Sequence, residues 1–84
     1  MTLKLKLNTV DEVLTFTKIS LKYEGDVFVK HNSYVVDGTS ILGVLSLNLS
    51  EQVLVEMVEK RDNEANDFFN ELIESGLNIT KTEE

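Results

Sequence analysis

The sequence predicts an α+β fold in which helices cover one face of a four-stranded antiparallel or mixed sheet. Two segments, at about 10–22 and from Asp62 onward, carry apolar residues on one side at helical spacing. Other segments either alternate between apolar and polar residues or consist of consecutive apolar residues, over lengths that are typical of strands. One-sided helices need a sheet to bury their apolar faces, so the predicted order is strand, helix, strand, strand, short helix, strand, helix. We expect a single domain over residues 1–84.

The first strand and the first helix follow from two local patterns. Leucines alternate with polar residues over 3–7, which is typical of a half-buried strand. Thr9 and Glu12 have the spacing of a capping box, in which each side chain satisfies a backbone donor at the start of a helix. We therefore expect a helix over about 10–22, with Gly25 as its stop signal.

Residues 26–36 have the pattern of a β-hairpin. Alternating valines approach His31, Asn32 and Ser33, which we expect to form the turn, and an apolar run returns from Tyr34. A catalytic or metal-binding histidine needs partners, and this chain has one histidine and no cysteine. We therefore expect His31 to be a solvated turn residue.

The most apolar stretch of the chain is DGTSILGVLSL, at residues 37–47. It is shorter than the roughly 20 apolar residues of a membrane span, and it lacks the GxxxxGK[ST] pattern of a phosphate-binding loop. Either Thr39 or Ser40 can cap a short helix here, because both side chains accept backbone hydrogen bonds. We expect that helix to end at Asn48.

The last third of the chain predicts a strand and a helix. Val53, Val55 and Met57 alternate with more exposed positions, which indicates a strand. The final helix is expected to begin at Asp62 and to end at Gly76, with Leu77 returning onto Leu72. Acidic residues are dense over 56–74, and we expect them to form a solvated helix face, with a frayed tail over 78–84. The apolar stripe of this helix comprises Ala65, Phe68, Phe69, Leu72 and Ile73.

Composition excludes several functional classes. A net charge of −7 argues against nucleic acid and anionic membranes as partners, because both require a basic surface. The absence of cysteine excludes a thiolate site, and we expect neither a metal nor another cofactor. The N-terminal residues lack the apolar core of a signal peptide, so we expect a cytoplasmic protein.

The run SILGVLSL over residues 40–47, together with the predicted element order, resembles HPr, the small phosphocarrier family of the bacterial sugar phosphotransferase system. The resemblance extends from the first strand to the Ser-Gly-Leu at 75–77, which is nearly the whole chain. It implies an HPr-like open-faced β-sandwich with the order β-α-β-β-α-β-α and a four-stranded sheet.

The resemblance also implies where a phosphoryl-accepting site would lie. The family accepts phosphate on a histidine within a Gly-x-His-x-Arg-Pro-Ala signature, and here that histidine position falls on Thr9. Asp11 takes the arginine position and Glu12 the proline position, so the signature is absent. A threonine hydroxyl is a poor nucleophile without a base, and carboxylates in a first helical turn repel phosphate. We therefore expect no catalytic residue and no enzyme activity.

A second family site is regulatory. Ser40 matches the serine that HPr kinase phosphorylates, although Thr39 replaces the basic residue often found before it; the alternative is that Ser40 is only a helix cap. Ile41, Leu42 and Leu45, together with Leu14, match the apolar patch that HPr proteins present to partners.

Three functions remain open at this point. The first is a regulatory paralogue that partners HPr kinase or a catabolite-control regulator. The second is an interaction module that is independent of phosphorylation, and self-association through the same apolar patch belongs to this possibility. We expect the chain to be a monomer or a weak dimer. The third, less favoured, is a working phosphocarrier that uses Thr9.

Overall fold

The computed structural model describes residues 2–81, which form one antiparallel sheet and three helices. The sheet has five strands in the order β3-β2-β4-β1-β5, so the prediction of an α+β fold is confirmed and the prediction of four strands is wrong. In chain order the elements are β1 (Leu3–Lys6), α1 (Val10–Leu21), β2 (Asp26–His31), β3 (Tyr34–Asp37), α2 (Ile41–Leu45), β4 (Val53–Val58), α3 (Glu64–Glu74) and β5 (Asn78–Lys81).

One face of the sheet is buried and the other is open. Val29, Val55 and Leu3 lie side by side on adjacent strands and are fully buried, because the register aligns their alternating side chains. Their neighbours Lys4 and Leu54 project from the opposite, exposed face. All three helices contribute to the single apolar core on the buried face. The helices therefore lie on one face, as the sequence predicts.

The fifth strand corrects the expectation of a frayed tail. Residues 78–81 pair antiparallel with β1, and Ile79 packs against the core. Gly76, at φ +89°, reverses the chain after α3, as expected for a glycine that follows a helix. Residues 82–84 of the predicted tail lie outside the described residues. An edge strand of four residues shows no strong periodicity, so the sequence pattern missed it.

The start of α1 confirms the capping prediction with one difference. The Glu12 N–H donates to Thr9 Oγ1 at 3.1 Å, but the Glu12 carboxylate accepts from the Asn8 N–H at 2.6 Å, one residue before the cap. The prediction that Gly25 stops this helix is wrong, because α1 ends at Leu21. Gly25 instead permits close packing, since a Cβ there would lie 2.6 Å from the Val58 carbonyl oxygen.

The acidic run is not entirely a solvated face. Helix α3 begins at Glu64 rather than Asp62, after Asn63 in the left-handed conformation with φ 64°. Glu64 is fully buried, and its carboxylate accepts from the backbone N–H groups of Lys60 at 2.9 Å and Gly25 at 2.8 Å. These hydrogen bonds hold the pKa of Glu64 below its usual value, even though burial opposes ionisation.

The predicted stripe of α3 holds for its central residues. Phe68, Phe69 and Leu72 are buried, whereas Ile73 is 39% exposed and lies at the margin of the stripe. Within residues 2–81, no helix is long and apolar enough to span a membrane.

Candidate functional site

Ser40 caps the short helix α2. Its backbone is extended, and its Oγ accepts from the Gly43 N–H at 3.0 Å. Thr39, the other candidate cap, instead donates its hydroxyl to Asp37 at 2.8 Å. Position 43 is crowded, because an added Cβ would lie 3.1 Å from Ser40 Oγ and 3.4 Å from the Val36 Cβ. A glycine there lets α2 sit close against β3.

The C-terminal end of α2 differs from the predicted one. The helix ends at Leu45, and Ser46 is its C-cap, with its Oγ donating to the Gly43 carbonyl at 2.6 Å. Asn48 is not the terminator. Its side-chain oxygen accepts from the hydroxyl of Ser50 at 2.6 Å, which shapes the loop that leads into β4.

An apolar surface covers the outward side of α2, and we call it the α2 patch, consisting of Ile41, Leu42 and Leu45. Leu42 is 81% exposed, and its two companions are 41% and 38% exposed. Val44 lies on the other side of the helix and is fully buried, so it anchors α2 in the core. Exposed large apolar side chains grouped in this way are typical of interaction sites.

Thr9 lies beside α2, at the start of α1. A cleft of about 350 Å³ is lined by Thr9, Val10 and Leu45, among others, which places the α1 N-terminus next to the α2 patch. Lys6 reaches the edge of this cleft, but its ammonium donates to the Leu49 carbonyl at 2.7 Å and to Asn8 at 2.9 Å. The Lys6 ammonium therefore stabilises the loop that contains Leu49.

The chemistry at the start of α1 is that of a helix cap. The Thr9 hydroxyl accepts one backbone hydrogen bond, and the Glu12 carboxylate accepts the other. Asp11, which is exposed, adds a second carboxylate to the first turn. Acidic groups already complement the positive end of the helix dipole at this position. Leu14, one turn further along, is half-buried at the side of α1.

His31 differs from its predicted role. It ends β2, and the turn consists of Asn32, in the left-handed conformation with φ 55°, and Ser33. The His31 side chain is only 10% exposed, and its Nε2 lies 2.7 Å from Glu51 Oε1. This pair joins the hairpin to the α2–β4 loop beside a cleft of about 410 Å³. Local sequence could not reveal it, because the partners are 20 residues apart.

A polar cluster at the opposite end of α1 is structural. The Tyr23 hydroxyl donates to Glu71 at 2.7 Å, and Lys22 forms an ion pair with the same carboxylate. Burial, followed by the Glu71 hydrogen bond and charge, raises the pKa of Tyr23 to about 12. Lys22, followed by Tyr23, lowers the pKa of Glu71. The cluster joins the end of α1 to α3.

Among residues 2–81, no group of three potential metal ligands occurs.

Comparison with known proteins supports the fold. The chain is similar to the crystal structure of HPr-C-His from Thermoanaerobacter tengcongensis, with a TM-score of 0.70 and 25% sequence identity. The match covers 89% of this chain and 90% of that chain. No protein-family model matches the sequence, and no curated protein does. The chain therefore has an HPr-like fold.

Proposed function

We propose that this chain is a non-catalytic HPr-like paralogue of the phosphotransferase system that regulates by binding a protein partner through the α2 patch. The observation that carries the proposal is the patch itself: Leu42 is 81% exposed, two residues after the helix cap Ser40. Leu42 belongs to a group of three exposed apolar side chains on one short helix, and such groups are typical of binding surfaces.

The start of α1 argues against a phosphocarrier cycle. Phosphohistidine transfer requires an imidazole nucleophile and a cation for the phosphoryl oxygens. At the expected position, the Thr9 hydroxyl accepts a backbone hydrogen bond and Asp11 contributes negative charge. The only histidine of the chain, His31, is engaged with Glu51. These features favour a role without phosphoryl transfer.

Ser40 is the proposed regulatory position. Its hydroxyl is half-buried and borders the α2 patch, so a phosphate there would add about two negative charges next to the apolar contact surface. HPr kinase is the candidate modifying enzyme and a catabolite-control regulator the candidate partner, both inferred from the HPr-like fold. The second candidate function is binding through the same patch without phosphorylation, which the same observation of exposed Leu42 supports.

The test of Ser40 is intact-mass measurement after incubation with ATP and HPr kinase, beside a reaction with Enzyme I and phosphoenolpyruvate. We expect one phosphate in the kinase reaction and none in the Enzyme I reaction. Ser40→Asn should lose this phosphate, because asparagine lacks the hydroxyl that would accept it. Asparagine is also a good helix cap, so this variant should keep the fold intact. Ser46→Ala, at the other end of α2, is the matched control and should retain the phosphate. Phosphate from Enzyme I would contradict the proposal.

The binding surface is tested separately with Leu42→Asp. We expect it to weaken binding to purified HPr kinase or to a catabolite-control regulator by at least about tenfold, because a charge in an apolar contact is costly. Leu54→Asp, on the open face of the sheet, introduces the same charge away from the patch and should bind normally. If Leu42→Asp abolishes binding while Ser40→Asn has no effect, the phosphorylation-independent module is the correct function.

A further inference from the structure

Helix α1 is the middle helix of its layer and presents an unpartnered face to solvent. It packs against both α2 and α3. Val10 is 59% exposed and Leu21 is 66% exposed, and Leu14 is half-buried between them. With about 3.6 residues per turn, these three side chains lie within about 40° of one another around the helix. They form an apolar strip that runs along α1 and is interrupted between Leu14 and Leu21, where Thr17 is buried.

Two charges follow one border of this strip. Asp11 and Lys18 are seven residues apart, which places them almost in line along α1, and both are exposed. Neither takes part in an ion pair within residues 2–81, in contrast to Lys22 and Lys30, which pair with glutamates. The strip therefore has an acid at its N-terminal end and a base at its C-terminal end.

This arrangement is complementary to itself when the helix is reversed. The midpoint between Val10 and Leu21 and the midpoint between Asp11 and Lys18 both fall within one residue of Thr15. A two-fold axis at that point places Val10 opposite Leu21 of a second copy. It also brings Asp11 near Lys18 of that copy. A two-fold interface uses the same patch on both subunits, so every contact occurs twice.

We propose that α1 is a self-association surface and that its occupant is α1 of a second copy of this chain, packed antiparallel. The apolar strip supplies the attraction, and the two Asp11–Lys18 pairs fix the antiparallel orientation. A second copy carries these groups in the required order, whereas a different protein partner would need to supply the reversed order independently. The contact is about 18 Å long, given a 12-residue helix, so it forms a weak dimer rather than an obligate one.

The test is sedimentation equilibrium of the purified protein over a concentration series up to about 1 mM, which spans weak affinities. Asp11→Lys and Lys18→Asp should each raise the dimer dissociation constant by at least about tenfold, because two ion pairs become two repulsions. The Asp11→Lys/Lys18→Asp double variant restores complementarity and should recover the wild-type constant. An equimolar mixture of the two single variants should form a heterodimer.

The variants contain their own controls. One single variant reduces the net negative charge and the other increases it, so a shared loss of dimer cannot be a net-charge effect. Lys4→Asp changes the charge as Lys18→Asp does, but on the open face of the sheet, and should dimerise normally. Circular dichroism establishes that each variant is folded.

Three results would overturn the proposal: a wild-type protein that stays monomeric throughout, single variants that dimerise normally, or a mixture that does not associate. The measurement uses neither kinase nor regulator. Its failure would therefore leave the proposed function of Ser40 and the α2 patch untouched.

Discussion

Ser40 has a structural role that is separate from the regulatory role proposed for it. Its Oγ accepts the Gly43 N–H, and the tight approach at position 43 leaves little room for a different arrangement. The sequence placed the cap on one of two neighbouring hydroxyls. Only the packing of the β3–α2 turn decided between them, because Asp37 takes the Thr39 hydroxyl.

Replacing Ser40 by alanine should cost about 1 kcal/mol in the free energy of unfolding, measured by urea denaturation, because the Gly43 N–H loses its acceptor. Ser40→Asn should stay within a few tenths of a kcal/mol of wild type, since asparagine caps equally well. Equal losses in both variants would show that packing around the serine, rather than capping, is responsible.

The burial of Glu64 is a feature that the sequence did not predict. It belongs to an acidic run that sequence reasoning assigns to solvent, yet the structure buries it completely. Its two carboxylate oxygens tie the start of α3 to Lys60 and to Gly25. Local sequence does not predict the hydrogen bond to Gly25, because Gly25 is 39 residues away. A buried carboxylate requires such partners, and here they are backbone donors.

Glu64→Gln should lower the melting temperature by more than about 5 °C, because an amide cannot accept both backbone hydrogen bonds through two oxygens. Glu74→Gln, on the exposed surface at the end of the same helix, should change it by less than about 2 °C. The pKa of Glu64 is lowered in the fold, so its contribution is present above the unfolded pKa of 4.5 and is lost as pH falls through the folded value. The stability of Glu64→Gln should therefore fall less steeply than that of wild type as the pH is lowered into the acid range.

At the scale of elements, α1 and β5 mark the two extremes of predictability. Helix α1 begins at Val10 as expected, because the cap, the first-turn acids and the apolar period all act within one segment. Strand β5 has only four residues and gains its backbone hydrogen bonds from β1, more than 70 residues earlier in the chain. Its existence depends on a partner that local sequence does not reveal.

The β5 strand should contribute to stability through its inward side. Ile79→Asp places a charge against the core and should destabilise the fold by about 2–4 kcal/mol, measured by urea denaturation. Thr80→Asp changes the adjacent residue, which is exposed, and should cost less than about 1 kcal/mol. Similar small effects of both variants would mean that β5 pairs only weakly with β1.

At the scale of the whole molecule, contacts between distant elements determine how the free energy of unfolding depends on pH. The Tyr23–Glu71–Lys22 cluster joins α1 to α3. Burial, followed by the Glu71 hydrogen bond, raises the pKa of Tyr23 from 10.0 to about 12. A pKa that is raised in the folded state contributes stability that is fully present below the unfolded value. That contribution is lost as pH rises from 10.0 to about 12.

Wild type should therefore lose part of its unfolding free energy as pH rises through this range, measured by urea denaturation at a series of pH values. Tyr23→Phe should be less stable at neutral pH, because the Glu71 hydrogen bond is lost, but its stability should fall less steeply above pH 10.0. Tyr34→Phe removes the other tyrosine, which is 67% exposed, and should follow the wild-type profile. Parallel profiles for all three proteins would exclude Tyr23 as the group responsible.

The sequence by itself determined the elements that carry their own signals. These are the capped helix α1, the hairpin, a helix cap at Thr39 or Ser40, the strand β4 and the apolar residues of the α2 patch, together with the resemblance to HPr that the similar crystal structure supports. Only the tertiary structure decided the fifth strand, the burial of Glu64 and the pairing of His31 with Glu51. The physical reason is range: capping and periodicity act within a few residues, whereas a strand's partner or a buried charge's donors come from distant segments that only folding brings together.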